Sequence, residues 1–369
     1  MTTTHTSLVL GAAALLAAPV WAQSSVTVYG IVDMGYAWRG DNVVDGVGNR
    51  SAIDSGLASG SRIGFRGTEM LGNGLKAGFV LEQGILADTG GSAQGGRTFG
   101  RQAFVSLGGV FGSVALGRQY APGYLLTSDV DPFASGTVGQ YNNVYLTEYR
   151  WDNQISYTTP SWGGLSVLAG YTLDVDGDES AANRGGGDIG DVRGWAIVPQ
   201  YRSGAVVVGA NIQELRARAA GLRDGDRIRV YDLAGTYDLE VVKIAAMYGV
   251  RRTDRVDFSP DNGALGGEDS RQWMLGVTVP VAATGKVLAS YTRRVTEVAG
   301  GGGDARASQW ALGYEHYLSR RTHLYAVYAD IDNNRLAEAS ATLFGAVGDA
   351  SNGGNGYQRG VSLGIRHTF

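Results

Sequence analysis

Residues 25–38 read SVTVYGIVDMGYAW, and their alternation decides the fold. Val26, Val28, Val32 and Met34 share one parity, while Thr27, Tyr29 and Asp33 occupy the other. A period of two is the mark of a β-strand with two chemically different faces. The pattern returns at Leu75–Leu81, where Leu75, Ala77, Phe79 and Leu81 oppose Lys76 and Glu82. Further runs lie at Leu165–Leu173, Val206–Ile212, Tyr231–Leu239, Val242–Val250, Trp273–Val279, Val287–Tyr291, Trp310–Tyr314 and Val361–Phe369. The non-apolar parity carries Gly, Ser, Thr, Asp, Gln and Arg throughout.

Alternation alone fits either a soluble sandwich, with apolar faces packed together, or a barrel in lipid, with polar faces lining water. Linker lengths separate the two. Short turns (Gly72-Asn73, Trp162-Gly163-Gly164, Arg202-Ser203-Gly204, Ala283-Thr284-Gly285, Ser319-Arg320-Arg321) alternate with long polar segments at 40–59, 175–191, 251–270, 298–307 and 332–357. That is the rhythm of a membrane barrel with short turns on one side and long loops on the other. Aromatic residues near strand ends (Trp38, Trp151, Tyr157, Trp162, Tyr171, Trp195, Tyr201, Tyr237) are expected to form interfacial girdles. Sixteen strands of this size, with their turns and loops, need about 330 residues, close to what is available. The expected architecture is all-β: a single closed antiparallel transmembrane β-barrel of about sixteen strands.

Composition agrees. The chain has 369 residues with 58 glycines, only 7 prolines and no cysteine, which excludes a disulfide framework and a thiolate metal site. A formal charge of −4 gives no reason to expect nucleic acid as a partner. Past residue 22 no stretch approaches the eighteen or so consecutive apolar residues that a spanning helix requires. The segment Leu8–Val20 is apolar and ends in Val20-Trp21-Ala22, with small residues at the −3 and −1 positions. Residues 1–22 are therefore expected to be a cleaved export signal, leaving 23–369 as one barrel domain, although Met1–Ser7 carries no Lys or Arg.

Several segments resemble the general porins of Gram-negative outer membranes, above all their beta-proteobacterial branch. These are Ser24–Asp33, SRIGFRG at 61–67 with Glu69, LKAGFVLEQ at 75–83, GRQAFVSL at 100–107, ALGRQY at 115–120, YLSRRTHLY at 317–325 and the closing LGIRHTF at 363–369. They follow family order over almost the whole exported chain. The resemblance implies an outer-membrane homotrimer of sixteen-stranded barrels whose third extracellular loop folds into the pore; here that loop corresponds to Gln119–Thr147. It also implies wall arginines at Arg62, Arg101 and Arg150 facing acids on the loop, for which Asp129 and Asp131 are the candidates. Phe369 matches the terminal aromatic residue through which such chains meet the barrel-assembly machinery. Lipid and lipopolysaccharide are the implied surroundings, and ions and small hydrophilic solutes the implied cargo.

Arginine stays charged at any relevant pH, so arginines across a narrow passage filter ions by charge and size. On parity Arg62 opposes Ile63 and Phe65 and should point inward. Three such arginines against two acids imply a mild anion preference despite the overall charge. A substrate-selective channel for organic acids or sugars is the alternative, with Tyr120, Tyr124 and Tyr141 as candidate contacts. An outer-membrane barrel enzyme is a third reading, but no Ser stands beside His316 or His323 on matching parity.

No cofactor or metal set is expected. Asp174-Val175-Asp176-Gly177-Asp178 begins like a calcium loop, yet Glu179 replaces its glycine and Gly185 its closing glutamate. Gly353-Gly354 precedes no helix and is no phosphate cradle. His316, His323 and His367 lack ligand spacing and are expected to be packing or interface residues.

Overall fold

The computed structural model describes residues 25–175, 192–217, 226–254, 268–298, 302–339, 345–348 and 356–369. The expected export signal, most of the acidic segment at 174–178 and Gly353-Gly354 lie outside them. Among the described residues no helix is long and apolar enough to cross a membrane. Eighteen strand segments of the described residues join into one sheet that closes on itself.

Closure runs through β1 (Ser25–Asn42). Its upper part pairs antiparallel with β18 (Tyr357–Thr368), Ile31 opposite Thr368 and Asn42 opposite Tyr357. On its other edge it pairs with β2 (Arg50–Ser55) above and β3 (Arg62–Gly72) below. These two segments are the halves of one interrupted crossing. The two-residue β5 (Gly91–Ser92) is only a ribbon on β4 (Leu75–Leu86). Sixteen crossings remain, all antiparallel, and closure gives every crossing a partner on both edges, as lipid demands. The segment at 40–59, read from sequence as one loop, thus contains the paired segment β2.

The faces are inverted relative to a soluble protein. Leu233 is 58% exposed and Leu275 55%, whereas Gln272 and Gln309 are 0% exposed. Large apolar side chains point outward along every part of the wall, and the inward parity holds Asp33, Asn211, Gln213, Asp232, Thr292 and Ser362, all buried. A sandwich would show the reverse. Of the aromatic residues expected in girdles, Tyr157, Trp162, Tyr171, Trp195, Tyr201 and Tyr237 are exposed on the outer face. Trp151 does not join them. Beside it the register between β7 (Gly112–Tyr120) and β8 (Arg150–Thr158) shifts, with Asn153 at φ +46°, and the indole is fully buried against Ala121, Ala196 and Leu215. A local bulge of this kind re-aims side chains and cannot be read from parity.

The last residue completes the seam. Phe369 exchanges backbone hydrogen bonds with Gly30, both 3.1 Å, and its ring lies across that glycine, where a Cβ would come within 2.3 Å of the ring.

Candidate functional site

The long segment between β7 and β8 covers residues 121–149; Gln119 and Tyr120, read from sequence as its start, end strand β7. It opens with helix α1 (Pro122–Val130), which has Pro at its first turn, and the helix stops at Asp131 because the residue before Pro132 is forced out of the helical region. A 3-10 turn follows at Tyr141–Asn143.

The segment bonds to inward-facing side chains of the wall. Tyr145 donates to Asp232 (2.6 Å), and Gln272 both accepts from the Leu146 amide (2.8 Å) and donates to its carbonyl (3.0 Å). Gln309 holds the carbonyls of Gly139 and Gln140 at 3.0 and 3.1 Å. Glu148 takes Arg251 at 2.9 Å and also Gln213. Leu126, Val130, Tyr141 and Tyr145 pack on Val198, Ala234 and Met274 from the same inner face. These bonds pair buried polar groups of the loop with those of the wall, which is what makes such a seam firm.

The opposite wall of the lumen is different. A cavity of about 460 Å³ is lined by Arg39, Arg62, Arg101 and Arg150, with Tyr120 and Tyr124 between them, and among the described residues Asp54 is its single lining acid. Glu82 stands behind, taking Arg101 at 2.8 Å, Arg62 at 3.8 Å and the Tyr29 hydroxyl at 2.9 Å. Asp54 binds Arg39 at 2.8 Å and Arg50 at 2.7 Å. Arg101 also donates to the Tyr120 hydroxyl (2.5 Å), and the Arg150 guanidinium lies 4.7 Å above the Tyr120 ring. Among the described residues Arg150 has no carboxylate within ion-pair reach. Tyr120 stacks on Tyr124, which meets Tyr149 edge-on. With Arg50 counted, five arginines against Asp54 and Glu82 leave this wall with a surplus of positive charge.

The three arginines named from sequence therefore share one cavity, and Arg62 has the inward direction its parity required. The two loop acids do not face them. Asp129 pairs with Arg202 at 2.6 Å, on an exposed part of the loop helix. Asp131 is buried and accepts the amides of Phe133 (3.2 Å), Ser135 (2.9 Å) and Tyr141 (3.4 Å). Burial pushes its carboxyl up to about 6 against those amide bonds. It organises the loop from within. Tyr141 likewise turns away from the cavity and bonds Thr127 at 2.6 Å. From the loop, residues with hydroxyl and amide side chains (Ser128, Ser135, Thr137, Gln140) line the cavity opposite the arginines instead.

Sequence reasoning missed Arg39, which continues the inward parity of Asp33 through Gly35 and Ala37 and was legible in principle. It also missed Glu82 as the arginines' partner and the Glu148–Arg251 anchor; the latter joins residues a hundred positions apart and leaves no local signal. Among the described residues no group of His, Asp and Glu is placed to hold a metal. His316 and His367 bond Tyr314 and Thr322 on exposed faces, and His323 packs between Tyr317 and Tyr325.

A closed barrel with an apolar exterior, a polar interior and an arginine-lined recess beside an inserted loop defines a channel-forming outer-membrane protein. Comparison with known proteins gives the family. A model described as Gram-negative porin matches residues 6–336. An outer membrane porin protein of Bordetella pertussis is 34% identical, over 97% of this chain and 98% of its own length. The solved anion-selective porin from Comamonas acidovorans is 31% identical, with a TM-score of 0.75 over 94% of this chain and all of that one. A trimer form of an outer membrane protein from Vibrio cholerae shares the fold at 18% identity, with a TM-score of 0.65 over 94% of this chain and 99% of that one. The chain belongs to the Gram-negative porin family; it is an outer-membrane porin, a water-filled channel for passive diffusion of small hydrophilic solutes.

Proposed function

We propose that this porin is a homotrimeric, anion-preferring diffusion channel in which Arg62, Arg101 and Arg150 form the selective wall. The observation that carries the reading is the charge balance of the 460 Å³ cavity, where four arginines line the space and Arg150 has no acid partner among the described residues. Guanidinium groups held by hydroxyl and ring contacts keep donors available to a passing anion while binding it weakly enough to release it. The anion selectivity stated for the Comamonas relative supports the same sign, and the trimer form of the Vibrio neighbour supports the assembly.

Residues 1–22 act as the export signal, and Phe369, outward-facing and 48% exposed at the seam, is the residue the assembly machinery reads. The outer apolar wall meets lipid and lipopolysaccharide. Transport here is passive, and the barrel is no enzyme. A second reading is favoured by one feature: Tyr120, Tyr124 and Tyr149 form a run of rings beside the arginines, so that a small carboxylate could pair with a guanidinium and rest its apolar part on the rings.

Single-channel current from detergent-purified protein under a KCl gradient tests the proposal. Insertion in groups of three steps with a chloride-preferring reversal potential is the expected result. Unitary steps, or a potassium-preferring potential, would overturn the trimer or the selectivity respectively.

A further inference from the structure

We infer that Asp33 is a positioning residue for the pore: it holds the interruption of the second crossing inward, and that interruption latches the tip of the inserted loop. The break between β2 and β3 covers residues 56–61. One oxygen of the Asp33 carboxylate accepts the amides of Ala58 (2.9 Å) and Ser59 (2.6 Å); the other accepts the Tyr325 hydroxyl (2.6 Å). The Asp33 backbone is tied to the same segment, its carbonyl accepting Gly56 N at 2.8 Å and Ser61 Oγ at 3.0 Å. Asp33 is 0% exposed, so these bonds are shielded from competing water.

Held this way, the insert touches both sides of the passage. Towards the loop, the Leu57 carbonyl accepts the Thr137 amide, and Gly136 lies so close over Ala58 that a Cβ on it would sit 2.0 Å from the Ala58 oxygen. Towards the arginine wall, the Gly60 carbonyl accepts Arg62 Nε at 2.8 Å, and a Cβ on Gly60 would come within 2.7 Å of Arg101 Nη1. The loop tip and two wall arginines are thus referred to one short segment, and that segment to one carboxylate. The carboxylate never meets the solute. Its work is to fix the distance between the loop and the wall.

The test is single-channel recording of Asp33→Ala and Asp33→Asn beside the unaltered protein, with trimer heat resistance as a control for folding. Asn keeps a carbonyl oxygen for the two amides and an amide hydrogen for Tyr325. It is expected to retain the original conductance and noise. Ala loses all three bonds and is expected to raise open-channel noise several-fold and to weaken ion preference at unchanged heat resistance. Gly136→Val strikes the same contact from the loop side without touching the wall, and the same rise in noise is expected there. Quiet, unaltered currents from correctly folded Gly136→Val channels, or from Asp33→Ala channels, would overturn the latch. Loss of rescue in Asp33→Asn would also count against it.

Discussion

The two inner walls of this barrel use the same residue types to opposite ends. On the wall beneath the loop, Arg251 is fully buried and paired with Glu148, Asp232 is paired with Tyr145, and glutamines take the loop's backbone. On the facing wall, Arg39, Arg62, Arg101 and Arg150 crowd round a cavity, and their charge is less than half offset, since Asp54 is shared with Arg50. On the proposed reading, the loop decides which charges can meet solute. A charge under it becomes part of the scaffold, where removing one partner is expensive. A charge left lining the cavity is, on the proposed reading, part of the filter.

The largest effect is expected from breaking the second wall outright. Replacing Arg62, Arg101 and Arg150 together with Ser leaves Glu82 without its arginine partners, so the reversal potential should lose its chloride preference and move to the potassium side. Next comes Glu148→Gln, which strands the Arg251 charge at a cost of roughly 3–5 kcal/mol. Proteolysis and hydrogen exchange should then report a loosened loop over residues 121–149, with ion preference little changed. A selectivity shift as large as that of the arginine variant would erase the distinction between the walls.

Single changes sharpen the comparison. Arg101 is offset by Glu82 and Arg150 by no carboxylate among the described residues. Arg150→Ser should therefore lower chloride preference more than Arg101→Ser, and Glu82→Gln should raise it. Permeability ratios from reversal potentials check all three.

The smallest effect is one of pH. Folded Asp131 holds its proton to about pH 6, whereas an unperturbed aspartate releases it near 3.8. The folded state binds more protons across that window, so loop docking is strongest below 3.8 and weakens as pH rises through 6. Amide exchange at Phe133, Ser135 and Tyr141 should quicken over the same range; exchange that slows instead would place the carboxyl elsewhere.

Much of the fold was legible because lipid imposes a strict rule. A crossing must alternate and must be paired, so Val26, Val28 and Asp33 report their faces from spacing alone. The upper ends of the crossings were harder, since both parities turn polar above the membrane, as at Thr292–Glu297. The site was legible on the wall and illegible in the loop. Arg62 inherits its direction from strand parity. Asp129 and Asp131 have no such frame, and only the folded loop sends one to Arg202 and the other inward to its own amides. Trp151 was misplaced for a related reason, because a bulge overrides parity.

Anomalous diffraction from crystals soaked in concentrated bromide would test the central claim most directly. The account predicts bromide in the cavity bounded by Arg62, Arg101, Arg150 and Tyr120, and none beside Arg251. Bromide at Arg251, with the arginine-lined cavity empty, would contradict it.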